Sequence, residues 1–272
     1  MRSVLAMTFL SEICDADCTV SPSKLPLPAM EWRANGILLS VRRHGENGTI
    51  IEALTEDHGR HAGLVHGGAG RKMAATFQPG NLLALRWRAR LADNLGTFEA
   101  ELIHGYASEA MADREALATL ESMRAVACTL LPERAATSLF DLTKLVLDLL
   151  SQPQARRVAY AQWEVALLAE LGFGLDFKSC AATGRTDDLS YVSPKSGRAV
   201  GRKAGAAYAE RLLPLPSFLS LGGSRIERAE FADALAVTGY FLERWAGNAL
   251  GLTSLPPARQ RLAALASKSE AT

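Results

Sequence analysis

The decapeptide Leu82–Leu91, LLALRWRARL, constrains this chain more than any other stretch. Read with a period of two, it sets Arg86, Arg88 and Arg90 on one face, and Leu85, Trp87, Ala89 and Leu91 on the other. That alternation belongs to a half-buried β-strand with one side toward a core. Guanidinium groups repeating every ~6.7 Å on one face repel each other unless something anionic lies across them. A phosphate backbone is one such anion. A solvated edge strand, guarded by charge against edge-to-edge pairing, is the plainer alternative.

The neighbouring sequence extends the β pattern over residues 32–104. Ile37, Leu39 and Val41 alternate through GILLSVRRHGENGT, and a Glu46-Asn47-Gly48 turn leads back into TIIEALT. Glu56-Asp57-His58-Gly59 marks a second turn before RHAGLVHGG, and Asn94-Leu95-Gly96 a third before TFEAELIHG. Five short strands joined by glycine-bearing turns suit a small closed barrel, and five is the strand count of the OB-fold. The period then changes. Residues 109–131, 138–151 and 156–171 space apolar positions three and four apart and predict helices, the second capped by Thr137 or Ser138 and the third closed by Gly172. Residues 176–200 break the pattern with a predicted hairpin at LSYV, and helical spacing resumes over 227–246 and 257–267.

The expected fold class is therefore α+β. Residues 1–29 read as a disordered extension, with natural translation from Met30 as the other reading; 30–106 form an OB-fold barrel, and 107–272 a helical domain. With 272 residues, 48% of them apolar and 22% charged, the chain has enough hydrophobic mass for real cores. A net charge of +1 points to no partner, so any nucleic-acid contact must come from local patches. Cys14, Cys18, Cys128 and Cys180 show no CxxC spacing, which suits a reducing cytoplasm. No apolar run reaches the roughly 18 residues of a membrane span.

Residues 176–204 have the outline of a four-cysteine zinc ribbon, yet only Cys180 stands where a thiolate is needed. Thr183, Gly201 and Ala204 occupy the other three positions, and zinc requires four N or S ligands. The expectation is no metal and no other cofactor, with the loop held by Leu189, Tyr191 and Val192. Gly67–Lys72 lacks the phosphate-loop spacing, with Met73 where Ser or Thr belongs. His58, His61 and His66 lie without a carboxylate cluster and read as solvated or phosphate-contacting rather than metal-binding. With no GxSxG, HExxH or CxxC, nothing argues for an enzyme.

The order and spacing of GILLSVRRHGENGTIIEALTEDHGRHAGLVHGG, FQPGNLLALRWRARL, LGTFEAELI, SLFDLTKLVLDLL, EVALLAELGFGLDFKSCAATG, DLSYVSPKSGRAV, LLPLPSFL and TGYFLERW resemble the RecO family of bacterial recombination mediators. The resemblance implies an N-terminal OB-fold, a helical C-terminal domain and a zinc-finger-like insert, here without its ligands. It also implies binding of single- and double-stranded DNA, strand annealing, and action with RecR in loading RecA onto strands coated by single-strand-binding protein (SSB). The location it implies is the cytoplasm, on the nucleoid. In the family the acidic SSB tail docks on the helical domain, for which Arg124, Lys144, Arg156 and Arg157 are candidate rim residues.

Charge supplies the candidate DNA contacts. Between Trp32 and Gly105 nine Arg or Lys face seven Asp or Glu, unevenly spread. Arg42, Arg43, Arg60, Arg71, Lys72, Arg86, Arg88 and Arg90 are expected to converge into a basic track, with Lys195 and Arg198, beside Arg202 and Lys203, as a second patch. Trp87, on the apolar face, is expected in the core, leaving phosphate contact without sequence preference. An OB-fold RNA-binding or translation-associated protein is the alternative, and a hydrolase with a dispersed site a third reading.

Overall fold

The computed structural model describes residues 30–68, 70, 73–91, 95–133 and 138–268. The expectations for residues 1–29 and for a Thr137 cap lie outside them.

Five strands, β1 (Met30–His44), β2 (Gly48–Thr55), β3 (Gly59–His66), β4 (Leu82–Ala89) and β5 (Thr97–His104), close into a barrel in the order β1-β2-β3-β5-β4. All pairings are antiparallel except β3 with β5, which meet in parallel at Leu64 and Thr97. The barrel is an OB-fold. β1 is long enough to serve two partners: residues 30–37 pair with β4 and residues 36–44 with β2, with a bulge between Leu38 and Ser40.

The barrel interior holds Leu38, Ile51, Leu83, Leu85, Trp87 and Phe98. Gly63 is required there, because a Cβ at this position would lie 2.4 Å from the Phe98 ring. Ile37, Leu39, Leu54 and Leu82 point the other way and join the core of the helices. This explains why the segment around Ile37–Leu39 is buried on both faces and reads as a continuous apolar run.

Helical sequence follows as α1 (Tyr106–Ala110), α2 (Arg114–Leu130), α3 (Ser138–Asp148) and α4 (Pro153–Glu170). The single helix expected over 109–131 is two. The first ends at Ala110 and Asp113 caps the second, its carboxylate accepting from Glu115 N at 2.9 Å. Ser138 is the first residue of α3 rather than its cap, and α4 begins at Pro153, earlier than its apolar spacing implied. It closes at Gly172 (φ +84°), as expected.

The insert forms a three-stranded sheet from β6 (Leu189–Val192), β7 (Ala199–Gly201) and β8 (Leu213–Pro214), the last of these not anticipated. Short α5 (Arg202–Gly205) and α6 (Ser217–Leu221) flank it. α7 (Arg228–Phe241) runs into a π-helical turn at Leu242–Gly247, and α8 (Pro257–Ala266) follows. The helical core is centred on Tyr160, Trp163, Phe231 and Phe241. Within it Glu164 and Arg259 form a buried ion pair (Oε1–Nε 2.5 Å, Oε2–Nη2 2.9 Å). Tyr160 and Thr238 donate to the same carboxylate, so three helices, α4, α7 and α8, meet on one satisfied charge pair. Among the described residues no helix is long and apolar enough to cross a membrane.

Candidate nucleic-acid interface

β4 keeps the alternation its sequence promised. Leu85, Trp87 and Ala89 are buried, and Arg86 and Arg88 point outward. Trp87 is a core residue as expected, its indole N–H donating to Leu95 O at 3.1 Å. The strand stops at Ala89, however. Arg90 is exposed beyond its end, and Leu91 is 59% exposed instead of joining the apolar face.

The anion demanded by the outward arginines comes from the protein itself. Glu31, opposite Arg88 on β1, accepts from Arg86 Nε at 2.6 Å and from Arg88 Nε at 2.8 Å. Glu99, opposite Arg86 on β5, lies 3.3 Å from Arg86 Nη1 and 3.7 Å from Arg88 Nη1. The Arg86 hydrogen bond, with help from Arg88, holds the Glu31 carboxyl below the usual carboxylate range. Two cations and two carboxylates thus form a neutral lattice on the outside of β1, β4 and β5.

Strand register shows how the other cations stand to this lattice. Arg88 pairs with Thr97, Thr97 with Leu64, Leu64 with Ile50, and Ile50 with Arg42. Partners in a ladder share a face, and these five lie opposite the buried Trp87, Phe98, Val65 and Ile51 of the same strands. One row therefore crosses the outside of the barrel from Arg88 to Arg42, four strand spacings or roughly 19 Å along the sheet. Its middle, Ile50 and Leu64, is half-buried and apolar. Next to it lie exposed His66, Gly48 and exposed His44, again linked by register. Exposed Arg43 adjoins Arg42. Arg71 and Lys72 follow this edge of β3 in sequence and lie outside the described residues. In OB-folds this face of strands 2 and 3, with the β1–β2 and β4–β5 loops, is where oligonucleotides are held.

Arg60, also on β3, does another job. Its Nη1 donates to Glu52 Oε1 at 2.5 Å and to Cys128 O at 3.0 Å, and its side chain is 15% exposed. Arg124 likewise donates to Leu39 O at 3.2 Å while paired with Glu121. α2 covers this part of the strand 2–3 face, so Arg60 bolts helix to barrel and is not open as track. From Arg33, opposite Arg86, to Arg42 is nine strand rises, roughly 30 Å. The Arg33–Arg86 pair and Arg42 therefore stand at opposite ends of β1, and exposed Arg42 and Arg43 sit at the end that leads into the β1–β2 turn.

Lys195 and Arg198 lie on the turn between β6 and β7, both exposed. Arg198 Nε is 3.5 Å from Asp176, and Arg202 Nε is 3.1 Å from Asp188. The absence of acids from residues 195–203 therefore does not leave the patch uncompensated, because the fold brings carboxylates from elsewhere. Val192 and Ala199, fully buried in the helical core, anchor this module more deeply than the half-buried Leu189 and Tyr191. Cys180 is buried, and its sulfur accepts the Gly201 N–H at 3.2 Å. Burial opposes its thiolate, but the Thr183 side chain and three backbone N–H groups outweigh it and lower the thiol to about 7. With backbone donors where further thiolates would be, the donor set does not fit zinc. Among the described residues no three His, Cys, Asp or Glu are grouped to hold a metal.

Three further expectations change. His61 is not solvated: it is 8% exposed and packs edge-on against Trp32 (5.1 Å) and Trp87 (4.9 Å) inside the barrel. Arg156 and Arg157 cannot rim an open pocket, being buried and paired with Asp113 (2.8 Å) and Glu115 (2.7 Å) respectively. Lys144 is held by Asp148 at 2.6 Å. Exposed His66 fits the expectation of a solvated or phosphate-contacting histidine, whereas Ile50, Leu64 and Thr97 were not among the expected contacts. Their outward parity was legible in GTIIEALT and GRHAGLVH; their alignment with Arg42 and Arg88 needs the register.

Comparison with known proteins agrees with this architecture. A family model described as recombination protein O N terminal matches residues 30–106, and one described as recombination protein O C terminal matches residues 111–253. DNA repair protein RecO of Ruegeria sp. (strain TM1040) is 50% identical over 233 residues, 85% of this chain and 96% of the relative. The protein of the same name from Jannaschia sp. (strain CCS1) is 51% identical over 234 residues, 86% of this chain and 95% of the relative. That from Rhodospirillum rubrum is 45% identical over 241 residues, 85% of this chain and 94% of the relative. Barrel, helices and sequence agree on one conclusion, that this chain belongs to the RecO family of DNA repair proteins.

Proposed function

We propose that the chain is a recombination mediator without catalytic chemistry, which holds single- and double-stranded DNA by its phosphates at the outer end of the barrel. The observation that carries this is the row from Arg88 to Arg42, apolar in the middle, with exposed Arg42 at one end and the carboxylate-paired Arg88 at the other, on the OB face suited to oligonucleotides. Arg42, Arg43 and Arg90 are its freest charges; Arg71 and Lys72 add to it on sequence grounds. Lys195 and Arg198 offer a weaker second contact.

Annealing follows from the same chemistry. Bringing two polyanions together requires screening of their backbones and no bond making, and a cationic face without base-reading side chains supplies that screening. Working with RecR to load RecA onto SSB-coated strands is the role this reading assigns, in the cytoplasm and on the nucleoid.

The test is the salt dependence of binding to a labelled single strand. Arg42→Ala/Arg43→Ala should flatten the log–log salt slope by roughly one to two units, at about 0.7 per phosphate released from a single strand. An unchanged slope in a folded variant overturns the assignment of this face. Tighter binding to structured RNA than to DNA overturns the choice of polymer.

A further inference from the structure

The β4–β5 ladder ends where Arg88 meets Thr97, and two leucines leave the barrel just beyond it. Leu91 follows β4 and is 59% exposed; Leu95 precedes β5 and is 43% exposed. Met30, 48% exposed, begins β1 opposite Ala89, the last residue of β4. Bulky apolar side chains from three places in the sequence therefore stand in water at one end of the β1–β4–β5 sheet. A single exposed leucine needs no explanation, but a group at one end of a barrel does.

The base of this end is held firmly. The Trp87 indole N–H donates to Leu95 O at 3.1 Å, and Leu64 N donates to Gly96 O at 3.0 Å. A Cβ at residue 96 would run into the Trp87 indole, so the chain passes close over the ring only because glycine stands there. Leu95 is thus fixed next to the row that runs through Thr97, Leu64 and Ile50 to Arg42, and it extends that row's apolar middle. Cations accompany it. Arg90, exposed and in no ion pair among the described residues, immediately precedes Leu91, and Arg88 lies opposite Thr97. Among the described residues of the barrel no exposed large apolar side chain is aromatic, and Trp32, Trp87 and Phe98 pack against one another on the inner face.

We propose that Leu91 and Leu95, beside Arg90, seat the faces of unpaired bases and so make this end of the barrel select single-stranded over paired DNA. The inference rests on the reading that the barrel holds DNA by its phosphates, and adds the contact that tells one strand from two. A base face is apolar and is open only in an unstacked strand; a duplex hides it between neighbouring pairs. Leucine carries no donor or acceptor, so the contact is indifferent to sequence. The apolar surface of a partner protein would match the leucines and leave Arg90 facing no charge, whereas each nucleotide brings an apolar face and an anion together.

Three probes test this by anisotropy at several salt concentrations: an oligothymidine strand, the same backbone with abasic residues, and a duplex closed at both ends by non-nucleotide linkers. The wild-type chain should hold the thymidine strand about five- to tenfold more tightly than the abasic one, with the same salt slope. Leu91→Ser/Leu95→Ser should remove most of that advantage, while its slope is unchanged and its affinity for the closed duplex stays within about twofold of wild type. Leu91→Met/Leu95→Met should restore the advantage, which separates seating of bases from folding of the loop. Circular dichroism confirms that each variant is folded. Equal binding of thymidine and abasic strands by the wild-type chain, or an undiminished advantage in the serine variant, overturns the proposal. So does a parallel loss on the thymidine strand and the closed duplex, which would make the leucines a structural support. Failure of the phosphate reading is distinct: it appears as a salt slope that Arg42→Ala/Arg43→Ala leaves unchanged.

Discussion

Glu31 stands directly opposite Arg88 across the β1–β4 ladder and accepts its Nε at 2.8 Å, while its other oxygen takes Arg86 at 2.6 Å. A phosphate approaching either arginine must compete with a carboxylate already in place. The most conspicuous charge run in the sequence is therefore held in reserve, and the freer cations of the barrel lie at its rim.

Removing the competitor should expose this. Glu31→Gln is expected to tighten single-strand binding at low salt and to steepen the salt slope by about half to one unit. Anisotropy titrations at several salt concentrations measure it, and a flatter slope contradicts the proposed competition.

Arg60 should behave as a structural residue despite its place among the candidate DNA contacts. Arg60→Ala leaves the mostly buried Glu52 carboxylate and the Cys128 carbonyl short of a donor. A loss of about 1–3 kcal/mol in urea unfolding is expected, with an unchanged salt slope for DNA. A flattened slope would return Arg60 to the interface.

The buried Glu164–Arg259 pair makes a larger prediction. Arg259→Met strands a carboxylate that is fully buried and should cost about 3–5 kcal/mol. The double variant Glu164→Leu/Arg259→Met should recover a good part of that loss, because no charge is then left uncompensated. Chemical denaturation of the three chains gives the comparison.

Acid should weaken the junction of α2 and α4. Burial raises the Glu115 carboxyl, but the Arg157 hydrogen bond and the charges of Arg157, Arg156 and Arg228 outweigh it, leaving it below its ordinary 4.5. A depressed carboxyl stabilises the folded state above its unfolded value and loses that contribution as pH falls through the folded one. Stability should thus be level from neutral pH to near 4.5 and fall below it, with a shallower fall in Glu115→Gln. Thermal unfolding across pH 3–7 reads both.

Which parts of this were visible in the residue string follows from the range of each interaction. The β4 alternation, the Gly59 and Gly172 turns and the apolar spacing of α3 and α4 are local, set by backbone geometry over a few residues. The doubly buried Ile37–Leu39 segment was legible as apolar but not as a strand serving two cores, since the second core comes from α2. The break at Asp113 was hidden because its capping hydrogen bond leaves the apolar period on either side nearly intact.

Taken alone, the chain's residues established the α+β class, the five-strand barrel, the placement of Trp87 in its core, the lost zinc ligands and the family resemblance, because all of these depend on identity and short-range order. Only the tertiary structure decided which charges remain free. Electrostatic energy depends on distance through space, and Glu31 with Arg86, Asp113 with Arg156, and Arg60 with the Cys128 carbonyl are separated by 55, 43 and 68 positions in the chain before folding brings them within bonding reach.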